Sequence, residues 1–172
     1  YLITSTISTP LYGKLSDLYG RKQFFLGAIT IFVVGSALCG TATSMYELAA
    51  LRALQGIGAG GLFSLALAIM GDIVSPRERA RYQGYFLAVF ATSSVLGPVV
   101  GGFFAGQSSI FGVAGWRWIF YVNVPIGIAA SAGFIAFLHE NVAREKRSVD
   151  VVGAALFTVA VASLMLALTE LG

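Results

Sequence analysis

Ionisable residues are scarce in this chain, and where they fall is selective. Only 11% of its 172 residues are Asp, Glu, Lys or Arg, while 57% are hydrophobic. Four ionisable residues nevertheless crowd into Gly13-Lys14-Leu15-Ser16-Asp17-Leu18-Tyr19-Gly20-Arg21-Lys22. Asp17 and Arg21 are four apart, so on a helical turn they share a face and can pair. Gly13 and Gly20 bracket the stretch and admit close backbone approach or a left-handed conformation. Two further polar points stand inside apolar sequence: Arg52 with Gln55 three residues on, and Asp72. Residues of these types support ion pairing and proton handling. They do not support hydrolysis or metal chemistry, because there is no Ser/His pair, no metal-ligand spacing around the single His139 and no acid dyad within an apolar run. The lone Cys39 rules out an intrachain disulfide and, within an apolar run, reads as a packed thiol.

These residues are carried by apolar runs of membrane length. A mean hydropathy of +0.83 together with 21 glycines fits an all-α, polytopic helical membrane protein. Residues 1–12 read as the tail of a span, with Pro10 near its end, and 13–23 as a charged turn. Runs at 24–42, 47–74, 83–106, 116–138 and 151–169 each match the length a bilayer core requires. That makes one partial span and five complete ones. They divide into a helical bundle over 1–138, a linker at 139–150 and an additional span over 151–172. The chain opens without Met, part-way into an apolar stretch, which reads as a fragment.

The cations fix sidedness. Loops 13–23, 75–82 and 139–150 carry Lys14, Arg21, Lys22, Arg77, Arg79, Arg81, Arg144, Lys146 and Arg147, whereas the alternate loops carry only Arg117. This asymmetry places the first three loops in the cytoplasm. Cations confined to short loops give no nucleic-acid surface, despite a net charge of +3.

The remaining cation, Arg52, lies about 9 Å into its span if Tyr46 marks the outer end. There it must line a watery cavity, find a partner or snorkel outward. Arg52, Gln55 and Gly56 are expected on one helical face, and Gly56 and Gly60 form a small-xxx-small pair. Glycines 56, 58 and 61 also fit G-x-G-x-x-G, but no strand precedes them, so a dinucleotide site is excluded. Gly97-Pro98-Val99-Val100-Gly101-Gly102 sits mid-span, where Pro98 removes a backbone hydrogen bond and the glycines offer a smooth face. Either a pliable seam or a static kinked helix fits that pattern. Trp116-Arg117-Trp118 reads as an interfacial aromatic anchor, after which Asn123 and Pro125 enter the helix.

Taken together, these segments resemble the signature motifs of the major facilitator superfamily. Gly13–Lys22 is similar to its cytoplasmic motif between spans two and three, and Arg52–Gly61 to that of span four. Gly97–Gly102 is similar to the span-five antiporter motif, and Trp116–Gly127 to the span-six entry of drug/proton antiporters. The visible spans would then be two (partial) through seven. The short stretch from His139 to Asp150 and the run after it resemble the fourteen-span branch. The outer loop 107–115 departs from the pattern by being longer than expected.

The resemblance implies proton-coupled efflux of lipophilic drugs by alternating access, in the plasma membrane, without a cofactor beyond the proton gradient. Its implied partners are the lipid bilayer, protons, a small-molecule substrate and a C-terminal bundle of the same chain. It implies a conformational gate at Gly13, Asp17, Gly20, Arg21, Lys22 and Asp72. Arg52, Gln55 and Gly56 would belong to proton coupling at the central cavity, and Gly97, Pro98, Gly101 and Gly102 to the antiporter helix. Phe63, Phe86, Phe90 and Phe120 are candidate cavity aromatics, with lipid-facing packing as their plainer role. An exporter of one metabolite or siderophore would share every motif. A membrane receptor or scaffold would instead tolerate loss of Asp17 and Arg52.

Overall fold

Hydrocarbon offers no hydrogen-bond partners, so apolar runs of this length satisfy their backbones only as helices. In the computed structural model, which describes residues 1–138 and scattered helical positions between 153 and 167, the described residues of these runs fall almost wholly in helices. The order is α1 (Leu2–Tyr19), α2 (Arg21–Thr41), α3 (Met45–Ile73), α4 (Arg79–Ala105), α5 (Gly115–Tyr121) and α6 (Asn123–Phe137). Among the described residues, α2, α3, α4 and the α5–α6 unit are long and apolar enough to cross a membrane. The linker 139–150 and most of the added span 151–172 lie outside the described residues.

The charged segment 13–23, expected as a turn, is helical except at Gly20. Helix α1 continues to Tyr19 and α2 begins at Arg21, so one residue makes the reversal. That residue is Gly20, at φ 107° and ψ 133°, a conformation essentially confined to glycine. Gly13 is interior to α1, and a Cβ there would meet nothing within 4 Å among the described residues. Likewise the loop expected at 75–82 closes early, with α4 starting at Arg79. The span expected at 116–138 keeps one helical course, with its hydrogen-bond ladder interrupted at Val122, whose φ −57° and ψ −31° stay helical. Pro125 supplies the reason: it has no N–H to give the Tyr121 carbonyl, so the ladder resets there. At Pro98, by contrast, α4 runs on without a break.

Helix α3 is the centre of the packing, held between α1 and α2. Its glycines make this possible by facing alternately to either side. A Cβ on Gly56 or Gly60 would run into Thr4, Ser5 and Ser8 of α1, and one on Gly58 into the α2 backbone at Ala28 and Phe32. Hydroxyls reinforce the α1 seam, since Ser8 donates to the Ile57 carbonyl (3.1 Å) and Thr9 to that of Gly60 (3.2 Å). At the other end of α3, Ser44 caps the first turn by accepting from the Glu47 N–H, and Glu47 reaches back to Thr43.

The α5–α6 unit lies along α2, with Phe25 stacked on Phe134 (4.4 Å between centroids) and Gly127 against Val33. Helix α4 buries none of its residues among the described parts of the chain. The long loop between α4 and α5 folds into a tight turn, in which Ile110 and Val113 exchange backbone hydrogen bonds around Phe111 and Gly112, both at positive φ. Trp118 pins it by donating to the Ile110 carbonyl (3.1 Å). This tryptophan is therefore tied to protein rather than serving only as an interfacial anchor.

Candidate functional site

Two polar clusters stand out, one where α1, α2 and α3 end or begin and one within the bundle. At the first, the Arg21 guanidinium joins three helices. Nη2 donates to Asp17 Oδ1 of α1 at 2.9 Å, and Nη1 to Asp72 Oδ2 of α3 at 2.6 Å. Nη1 also meets the Ala68 carbonyl. Each charge occupies the unfavourable end of its own helix: Arg21 opens α2, while Asp17 and Asp72 fall in the last turns of α1 and α3. The three therefore stabilise one another rather than their helices. Both carboxylates remain more than half exposed (60% and 57%), so the cluster can be opened from water at little desolvation cost.

Not every residue expected in this cluster belongs to it. Lys22 turns away and donates to the carbonyls of Ile135 (3.2 Å) and Leu138 at the C-terminal end of α6. That placement suits a cation at a helix C-terminus. Gly20 forms the reversal, and Gly13 takes no part.

The second cluster surrounds Arg52. Its Nη1 donates to Gln55 Oε1 at 2.8 Å, and Gln55, 1% exposed, donates through Nε2 to Ser36 Oγ of α2 at 2.9 Å. Ser36 passes its own hydrogen to the Phe120 carbonyl (3.0 Å) and accepts a second bond from Asn123 Nδ2 (3.0 Å). The Arg52 guanidinium stacks over the Tyr1 ring at 4.2 Å and lies 5.6 Å from the Phe120 ring. Phe120 thus closes the circuit, with its ring toward Arg52 and its carbonyl under Ser36. Among the described residues Arg52 has no carboxylate partner. Gly56 lies one turn below Arg52 on the side of α1, where a Cβ would meet Tyr1 and Thr4, while Gln55 packs on Gly35 of α2.

Gly97, Gly101 and Gly102 meet no neighbouring helix among the described residues, and Pro98 is exposed, as are Gly97 and Gly102. Phe63, Phe86 and Phe90 line a groove of about 350 Å³ between α3 and α4, together with Leu67, Gln83 and Leu87. Phe120 lies instead in the Arg52 circuit. Sequence reasoning passed over Ser36 and gave Asn123 no partner. The available signal was a small hydroxyl inside an otherwise apolar run. Arg117, expected at the interface, forks onto the carbonyls of Gly40 (2.6 Å) and Ala42 (3.0 Å) at the end of α2.

Comparison with known proteins gives one coherent result. The family model described as Major Facilitator Superfamily matches residues 1–170. Multidrug resistance protein 3 of Bacillus subtilis is 43% identical over the whole chain, which covers 32% of that protein. The multidrug transporter protein MdtP of the same organism is 39% identical over 98% of the chain, covering 30% of its own length. An MFS-type transporter of the acurin A biosynthesis cluster of Aspergillus aculeatus is 36% identical over the full chain, covering 31% of that protein. The chain thus spans about a third of the length of these curated relatives.

Proposed function

From the premise that the chain belongs to the major facilitator superfamily, we propose that it serves proton-driven efflux of lipophilic drugs or toxic compounds across the plasma membrane. Substrate and proton would move in opposite directions by alternating access, with no cofactor other than the proton gradient. The single observation that carries this reading is Arg52. A guanidinium in the body of a span is costly, and here it is kept there by Gln55 and two aromatic rings without a carboxylate among the described residues. Such a cation is placed to bind, or to lower the proton affinity of, a carboxylate that alternately carries the proton. The two Bacillus relatives, named for multidrug resistance and transport, support the choice of substrate class.

In this reading the Asp17–Arg21–Asp72 cluster is a latch on the cytoplasmic side. It locks the ends of α1, α2 and α3 together in the outward-open state, where a second bundle of the same protein closes against them. Its exposed ion pairs yield when the bundles rock apart. The glycine-packed α1–α3–α2 block moves as a unit, and α4, with its open glycine face, provides the seam.

The test is efflux of a lipophilic cationic dye from energised cells carrying the natural protein, with and without a protonophore. Protonophore-sensitive efflux that disappears in Asp17→Asn, at undiminished expression, is the expected result. Normal efflux by Asp17→Asn would rule the latch out, and a full proton-dependent rate in Arg52→Ala would remove the coupling role. The acurin A cluster relative favours a second reading, export of one metabolite. Absence of dye movement from cells with the protein in the membrane would move the assignment there.

A further inference from the structure

The Arg52 circuit contains a donor–acceptor logic that the coupling role alone does not require. Ser36 is fully buried and has one hydrogen to give, which goes to the Phe120 carbonyl at 3.0 Å. Both remaining lone pairs accept, from Gln55 Nε2 at 2.9 Å and from Asn123 Nδ2 at 3.0 Å. The orientation of the Gln55 amide is therefore dictated from below. Were it reversed, its oxygen would face a hydroxyl oxygen whose hydrogen is committed, and its NH2 would face a guanidinium. Both contacts would set like against like in a residue 1% exposed.

We propose that Ser36 and Asn123 are positioning residues. They fix the Gln55 amide with its carbonyl toward Arg52 and so hold the guanidinium where coupling needs it. Asn123 also donates to the Ile119 carbonyl at 3.3 Å, one turn back across the interruption of the hydrogen-bond ladder at Val122. It therefore links the α5–α6 joint to the same hydroxyl that sets Gln55. A shift of α6 against α5 withdraws one donor from Ser36 and reaches Arg52 through two hydrogen bonds. The inference rests on the coupling role proposed above for Arg52.

The test compares uphill and downhill dye transport by the natural protein in proteoliposomes, with and without an imposed proton gradient. A purely structural defect lowers both rates in parallel, whereas loss of a coupling group lowers only the gradient-driven component. Ser36→Ala is expected to cut the uphill-to-downhill ratio about tenfold, the equivalent of one hydrogen bond, while downhill transport stays within about twofold. Asn123→Ala leaves the Ser36–Gln55 bond in place and is expected to lower the same ratio by less. It also serves if Ser36→Ala does not fold. A ratio unchanged in both variants but lost in Arg52→Ala would overturn the positioning role and leave the coupling role standing. A ratio unchanged in Arg52→Ala would overturn both. Parallel loss of both rates would reduce Ser36 and Asn123 to packing residues.

Discussion

Replacing Gly58 with alanine tests whether glycine packing and the Arg52 circuit are one mechanical unit. The new Cβ would stand 2.5 Å from the Phe32 nitrogen and 2.6 Å from the Ala28 oxygen, donor and acceptor of a single rung of α2. Neither is a flexible side chain, so the helices themselves must part. Restoring an ordinary contact of 3.4 Å from 2.5 Å requires a spread of 0.9 Å. Gln55 lies three residues before Gly58, and both face α2. Added to the 2.9 Å between Gln55 and Ser36, the same spread gives 3.8 Å, beyond hydrogen-bond range. Overpacking costs about 1–3 kcal/mol and the lost hydrogen bond about 1 kcal/mol more. Thermal unfolding in detergent, followed by size-exclusion chromatography, should drop by several degrees, and the uphill-to-downhill ratio should fall with it. Gly71→Ala is the control on the same helix, because a Cβ there meets nothing within 4 Å among the described residues. It should leave both readouts at or above wild type, since alanine is the better helix former by about 1 kcal/mol. Wild-type stability and ratio in Gly58→Ala would refute the reasoning, as would equal damage from Gly71→Ala.

Three further substitutions probe the rest of the arrangement. Gly20→Ala forces a side chain into a backbone conformation at φ 107°, at a cost of about 1–3 kcal/mol. A lowered melting temperature in detergent measures it, and an unchanged one would mean the α1–α2 reversal can be made another way. Arg117→Ala strips two carbonyls at the end of α2 of their donor, costing about 1–3 kcal/mol. Because the chain's two tryptophans flank Arg117, their emission should shift to the red, and an unshifted spectrum would contradict the clamp. Asp72→Asn leaves Arg21 bonded to Asp17 and the Ala68 carbonyl. Expression and melting temperature should hold, given the exposure of this ion pair, while dye efflux falls; unimpaired efflux would dissociate Asp72 from the latch.

The sequence by itself determined where the membrane-length helices fall among the described residues and the types of residue available for chemistry. The bilayer acts as a one-dimensional solvent, so a run of about 20 apolar residues is sufficient. The pairing of Asp17 with Arg21 was legible for the same reason, since a four-residue spacing is local to one helical turn. Tertiary structure alone decided which neighbour each face meets. Sequence groups Arg52, Gln55 and Gly56, yet Gln55 turns to α2 and Gly56 to α1. Consecutive residues differ by 100° around the axis, and only a second helix on either side says what each direction means. The same holds for Lys22, whose partners at Ile135 and Leu138 belong to α6 rather than to the charged cluster beside it in sequence. Ser36 is the clearest case. Its partners lie 19 residues away at Gln55, 84 at Phe120 and 87 at Asn123. No local period connects such positions, so their meeting was decided by how closely the glycines let the helices approach.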